Sequence, residues 1–344
     1  GMVLATITAL LALFFSWLAF RRPSTAPLLT AGIMSALSLA LWLAQAAIAF
    51  NVFSCRPVNV NFHSKQNSII LPPPSLESLH RIDCNNFGGK KQCKDGYGAR
   101  VHSKKENTGS AQILFLGDSF TFGIGVNDEE SFPAILQGLG HFNSTNLSVS
   151  GGGINTTFHA LRTKNIPPGN YRAAVFTFIP DHFARASGRY GFFFNSALPH
   201  YTLEKGGEWR HHGSYFQSRF AAVWFFLFGQ DLVGQFTSCN PRRSHFLSAR
   251  EVHAADVELT RNLILATKAE FEKNYGGIFV LHVWPGTTFP GKKEFLESLN
   301  SEMPVWEKAG GLPIDPATGH PTAKANEAVA KFLDRKLSEL KLSR

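Results

Sequence analysis

The sequence predicts an α/β protein: a three-layer α/β/α sandwich around a mainly parallel sheet, preceded by two transmembrane helices. Three observations carry this. Two long uncharged apolar runs fill the first 53 residues. Beyond residue 110, strand-length apolar runs alternate with helical patterns, as in sheets covered by helices on both faces. Finally, 44% hydrophobic against 17% charged residues in 344 suits a packed core and excludes a disordered or coiled-coil chain.

The N-terminal segment, 1–53, reads as a helical hairpin. Met2 to Phe20 and Leu28 to Phe53 carry no charged side chain, and each is long enough to cross a hydrocarbon core at roughly 1.5 Å per residue. Between them Arg21 and Arg22 form a short basic loop, and no lysine or arginine precedes the first run. The excess of positive charge on cytoplasmic loops then places everything after Phe53 on the extracytoplasmic, periplasmic side of the membrane. A cleaved signal peptide is the rival, but it calls for a basic segment before a shorter apolar stretch, and the second run would remain.

All four cysteines, Cys55, Cys84, Cys93 and Cys239, fall in the part expected outside, where disulfides persist. Cys84 and Cys93 bracket a short loop with Gly and Asn, which favours that pair and leaves Cys55 with Cys239. Four unrelated thiols remain open, since spacing does not fix connectivity. No Cys-x-x-Cys spacing exists and the histidines are dispersed, so no metal and no cofactor is expected. Residues 54–110, with Pro72-Pro73-Pro74, Gly88-Gly89 and several lysines, read as a linker or stalk. The net charge of +9 is scattered along the chain, and no nucleic-acid module is recognisable, so nucleic acid is not an expected partner.

The compact domain is expected over 111–344. Its opening strand, Ala111 to Leu116, stops at the polar turn Gly117-Asp118-Ser119-Phe120. There follow a helix near Ser131 to Leu139, a strand near Ala173 to Ile179, a long helix near Glu251 to Tyr275, a strand from Gly277 to Val283 and a last helix from about Ala323 to Leu340. An insertion near 187–216 reads as a hairpin laid over the sheet's edge, with Trp209, Arg210, His211 and His212 placed to meet sugar rings or acidic groups. Phe220 to Phe228 is apolar but too short for a span; a buried helix, an acyl pocket wall or a bilayer contact are its readings.

The run from Ile113 through Gly117-Asp118-Ser119 to Phe120-Thr121-Phe122-Gly123 resembles the first block of SGNH (GDSL-like) hydrolases, in a membrane-anchored bacterial form. Tyr97-Gly98-Ala99-Arg100 is similar to a stretch found shortly upstream of that block. The resemblance implies a flavodoxin-like parallel sheet and a serine nucleophile, Ser119. A serine hydroxyl needs a base within hydrogen-bond reach, and Gly319-His320-Pro321-Thr322 before a helix resembles the family's last block, which makes His320 the base. In that block the acid stands three residues before the histidine. Ala317 is found there, and the nearest aspartate is Asp315. Either the loop bulges so that Asp315 reaches the imidazole, or a Ser–His dyad works with a backbone carbonyl orienting the ring.

For the oxyanion hole the resemblance implies the backbone N–H groups of Ser119 and of Gly151, within Asn146-Leu147-Ser148-Val149-Ser150-Gly151. The asparagine that usually supplies a third donor is missing. Pro180 aligns there, followed by Asp181-His182. Losing one donor costs roughly 3 kcal/mol in the transition state unless His182 or Asn155 replaces it. Three functions follow. The leading one is a serine esterase or O-acyltransferase acting on acetylated or acylated envelope or secreted polysaccharide; the others are a lipid or thioester hydrolase and a non-catalytic scaffold of the same fold.

Overall fold

The computed structural model describes residues 83–342 apart from 88, 96–97, 102–106, 109, 189–197 and 216–251. The two expected spans, Cys55, Cys239 and the apolar run 220–228 lie outside the described residues. Among the described residues no helix is long and apolar enough to cross a membrane.

The strands in chain order are β1 (Asp83–Phe87), β2 (Lys90–Lys94), β3 (Arg100–Val101), β4 (Ala111–Leu116), β5 (Phe142–Asn146), β6 (Tyr171–Phe178), β7 (Pro199–Leu203), β8 (Trp209–Ser214), β9 (Ile278–Val283), β10 (Val305–Glu307), β11 (Ile314–Asp315) and β12 (His320–Pro321). One sheet runs β1-β2-β3-β5-β4-β6-β9-β10. Its β5-β4-β6-β9-β10 portion is parallel throughout, which is the doubly wound order of flavodoxin-like sheets with β4 at the reversal point.

The helices are α1 (Ser119–Phe122), α2 (Phe132–Gly138), α3 (Ile154–Arg162), α4 (Asp181–Ala186), α5 (Ala254–Tyr275), α6 (Lys292–Asn300) and α7 (Ala323–Glu339). Because side chains alternate along a strand, β4 sends Leu114 and Leu116 to one face and Ile113 and Phe115 to the other. The first pair joins Phe158 of α3, Phe183 of α4, Leu263 and Phe271 of α5 and Leu299 of α6. The second joins Phe132 and Leu136 of α2 with Val329 and Leu333 of α7. The sandwich therefore has three layers. Ile113, Leu114 and Phe115 are fully buried, each worth about 1.5–3 kcal/mol of apolar burial, and this fixes the strand that delivers the Gly-Asp-Ser turn.

Two expectations are corrected. Asp83–Phe87, Lys90–Lys94 and Arg100–Val101 belong to the sheet and not to a stalk: β1, β2 and β3 add in antiparallel fashion beside β5, with Cys84 paired to Cys93 across the β1–β2 register and joined to it by a disulfide. Phe87 pairs with Lys90, so the turn between them has two residues, the length that matches strand twist in hairpins. The expected hairpin does form, as β7 and β8. It lies on helix α3 and not on the sheet's edge: Tyr201 and Trp209 sit edge-on to Phe158 at 4.9 and 5.5 Å, and Arg162 Nη1 donates to the Trp209 carbonyl. The aromatic face of the hairpin finds its apolar partner there.

Candidate active site

Ser119 is the first residue of α1, directly beyond the end of β4. Asp118 caps that short helix, its Oδ1 accepting from the Phe120 N–H at 3.0 Å. Gly117, at φ 145°, leaves no room for a side chain, since a Cβ would meet Thr121 Oγ1 at 2.5 Å. At the other end of α1 the buried Arg100 donates to the carbonyls of Phe122, Gly123 and Val126 and pairs with Asp128 at 2.8 Å. Asp128 Oδ1 also accepts from the Cys93 N–H. Arg100 thus supplies the clamp that holds helix α1, which begins at Ser119. Sequence reasoning quoted Arg100 without giving it a role.

His320 is brought to this turn from the far end of the chain, on β12, which abuts α1. Its ring lies 5.8 Å from that of Phe120, the residue after Ser119, and Phe120 in turn sits edge-on to Trp284 at 5.1 Å. The base therefore stands beside an apolar wall. His320 Nδ1 is 2.7 Å from the Thr318 carbonyl oxygen. A carbonyl can only accept, so Nδ1 carries the proton and Nε2 keeps its lone pair. Burial pushes the His320 pKa below its ordinary value of 6.5, against the raising effects of the Thr318 bond and of Asp118.

Asp315 does not reach the imidazole in this geometry. Its Oδ1 accepts from the Ala317 N–H at 3.0 Å and its Oδ2 from Thr318 Oγ1 at 3.0 Å. The carboxylate is consumed by its own turn, as Asp side chains commonly are in loops. The expected acid is therefore corrected: the Thr318 carbonyl occupies the position beside Nδ1, and Asp315 shapes the loop that presents it.

Gly151 lies in the loop after β5, at φ 76°, within a turn closed by the Gly152 N–H donating to the Val149 carbonyl at 2.8 Å. Positive φ at that position is the requirement of a type II turn, which glycine meets. Val149 N donates to the Gly117 carbonyl, so the loop tracks the nucleophile turn and brings Gly151 to the same end of the sheet as Ser119.

Neither replacement for the missing asparagine is available. His182 is fully buried, its Nε2 3.5 Å from Asp118 Oδ2, with its ring against Phe176 and Phe178. Burial lowers its pKa, so it is a neutral ring beneath Asp118, not a donor to a substrate oxygen. Asn155 turns its Nδ2 to the carbonyls of Pro199 and Arg185, at 2.9 and 3.5 Å. Its job is to tie the start of β7 to the first turn of α3.

Asp118 is a hub that sequence reasoning missed. Burial would raise its pKa, but His182, the Arg185 guanidinium and the Phe120 N–H together bring it down to about 2, so the carboxylate is charged at any working pH. Arg185 Nη1 donates to Asp118 Oδ2 at 2.8 Å and to the Gly152 carbonyl at 2.7 Å, while Nη2 lies 3.3 Å from Asp181 Oδ2. The only sequence trace was the i, i+4 spacing of Asp181 and Arg185. Among the described residues no group of three or more His, Cys, Asp or Glu side chains is placed to hold a metal ion.

No family model and no curated protein matches the chain. Among solved structures it is similar to a protein of Desulfitobacterium hafniense assigned to the lipolytic G-D-S-L family, with TM-score 0.37, 13% identity, and 66% of this chain and 99% of the other covered. It is also similar to a carbohydrate esterase family 2 enzyme with a carbohydrate-binding domain from Corynascus thermopiles, with TM-score 0.40, 13% identity and coverage of 70% and 69%. A family two carbohydrate esterase from Cellvibrio japonicus follows with TM-score 0.33, 12% identity and coverage of 70% and 63%. These are similarities at low identity and low score, and no residue role passes from them to this α/β chain.

Proposed function

We propose that the chain is a serine-dependent ester hydrolase or O-acyltransferase running on a Ser119–His320 dyad, with the Thr318 carbonyl in the position that a carboxylate takes in a triad. The observation that carries this reading is the 2.7 Å contact of His320 Nδ1 with Thr318 O. It fixes the tautomer in which Nε2 can take a proton from Ser119 Oγ. Oγ then bonds to the ester carbonyl carbon, and the Ser119 and Gly151 N–H groups receive the oxyanion. Collapse expels the alcohol, which takes the proton from His320 and leaves an acyl-serine. Water, or the hydroxyl of a second sugar, repeats the sequence with His320 again as base.

An acetylated or acylated envelope or secreted polysaccharide is the substrate this reading favours. Its support is the hairpin tethered through Asn155 to the start of α3, which carries His211 stacked on Tyr201 beside exposed Arg210. The Cys84–Cys93 disulfide supports export across the membrane. A lipid or thioester hydrolase is the second reading, favoured by the Phe120–Trp284 wall beside His320, which suits a longer acyl chain. The test uses a fluorophosphonate probe and aryl esters of increasing chain length, together with acetylated glycans. Ser119 should be labelled, and Ser119→Ala and His320→Ala should each abolish turnover, with the double variant scarcely worse than either. An unlabelled, inactive wild-type protein would establish the scaffold reading instead.

A further inference from the structure

The loops after β4, β5 and β6 meet at the reversal point of the sheet, and one buried side chain touches all three. Arg185 reaches Asp118 in the nucleophile turn, the Gly152 carbonyl in the loop that bears Gly151, and Asp181 at the head of its own helix α4. Its backbone carbonyl accepts from Asn155, and a Cβ on Gly153 would meet the Arg185 Cβ at 3.2 Å. The loop and α4 are therefore in close contact as well as hydrogen-bonded.

These contacts bear on the spacing of two backbone N–H groups. Asp118 orients the first turn of α1, and with it the Ser119 N–H. The turn holding Gly151 is closed on one side by the Gly152 N–H and pinned on the other by the Gly152 carbonyl. Nη1 serves both segments, so the distance between the two donors is set by one rigid planar group. We infer that Arg185 is a positioning residue that fixes the oxyanion donors of Ser119 and Gly151 relative to one another, a role that rests on the serine-dyad reading above. It touches no substrate atom. It compensates instead for the absent asparagine donor, by holding the two remaining donors in place before charge develops, which is where preorganised donors gain their strength.

Lysine cannot substitute. An ammonium keeps the positive charge but is a single nitrogen: it cannot hold Asp118 and the Gly152 carbonyl, as Nη1 does, while a second coplanar nitrogen is fixed beside Asp181. In full-length Arg185→Lys, kcat should fall roughly 10- to 100-fold, as expected for a displacement of donors by about an ångström, while KM stays within about twofold. Arg185 also lowers the His320 pKa through its charge. Arg185→Gln should therefore lose kcat and move the acid limb of the pH profile upward, whereas Arg185→Lys should leave that limb in place. The limb shift reports the charge alone; the positioning role is read from the kcat loss of Arg185→Lys with KM and limb unchanged. If Arg185→Lys does not fold, Arg185→Ala is assayed with millimolar guanidinium. Recovery of kcat supports the role, and no recovery in a folded protein overturns it. Wild-type kcat in folded Arg185→Lys, or a loss confined to KM, also overturns it while leaving the dyad intact. Failure of the wild-type protein to react with the fluorophosphonate sinks the dyad reading itself and this role with it.

Discussion

A carbonyl in place of a carboxylate beside the base changes what His320 can do. The peptide oxygen of Thr318 orients the ring through a dipole, so on the proposed dyad an imidazolium formed there would gain less than from a full negative charge. Burial acts in the same direction. His320 should then be neutral, and active, at all pH values above a pKa that lies under 6.5. A plot of kcat/KM against pH should rise through a single ionisation below 6.5 and stay flat above it; an acid limb centred above 7 is incompatible with this environment. For the same reason Asp315→Asn should cost only a few-fold in kcat. Its oxygens support Ala317 and Thr318, and an asparagine Oδ1 can still accept one of those bonds; a loss of several hundred-fold would put the carboxylate against the imidazole after all. The position of Ser119 just beyond β4 was legible because an apolar run stops there at a polar, glycine-bearing turn; its role as nucleophile belongs to the proposed dyad. Asp315 was misread because proximity in sequence does not show which hydrogen bonds a loop carboxylate has already made. Arg185 showed only its i, i+4 spacing from Asp181, since Asp118 and the Gly152 carbonyl reach it only once the strands are ordered.

At the scale of elements, the β1–β2 hairpin and helix α1 are mechanically joined. Cys93 N–H and Arg100 share Asp128, and Arg100 holds three carbonyls at the end of α1. An unreduced digest analysed by mass spectrometry should show Cys84 and Cys93 linked. Cys84→Ser should lower unfolding free energy by about 2.5 kcal/mol, the loop-closure value for a separation of 9 residues. Urea denaturation checks this, and free thiols at both positions with unchanged stability would refute it. The strands β4, β6 and β9 were readable as continuous buried apolar runs. β2, Lys-Lys-Gln-Cys-Lys, was not, because a short, lysine-rich run lacks the apolar pattern of a strand and looks like a linker, even though it lies between β1 and β3. The Gly88-Gly89 pair between the two cysteines was the signal in the sequence, which composition alone made part of a stalk.

For the whole molecule, the alternation of strand and helix patterns made the layer architecture legible before any pairing was known, whereas β5 and β10, polar or short, were not among the strands read from the sequence. The membrane orientation expected from residues 1–53 is tested directly: a reporter active only outside the membrane should work after Arg344 and fail between Arg21 and Arg22. A cytoplasmic C-terminus would remove the case for an envelope polysaccharide. The route to the base has a different consequence. His320 sits on β12, whose pairing is with β11 in a two-stranded ribbon apart from the main sheet. That ribbon is held by α7, where Thr322 caps the helix and Asn326 Oδ1 receives the Phe132 N–H while its Nδ2 donates to Thr322 O. Nucleophile and base are thus delivered by opposite ends of the domain. On the dyad proposed above, a ribosome releases the Ser119 turn long before the His320 ribbon, so the growing chain would carry an unarmed serine through synthesis, and reactivity would begin only when α7 docks on α2.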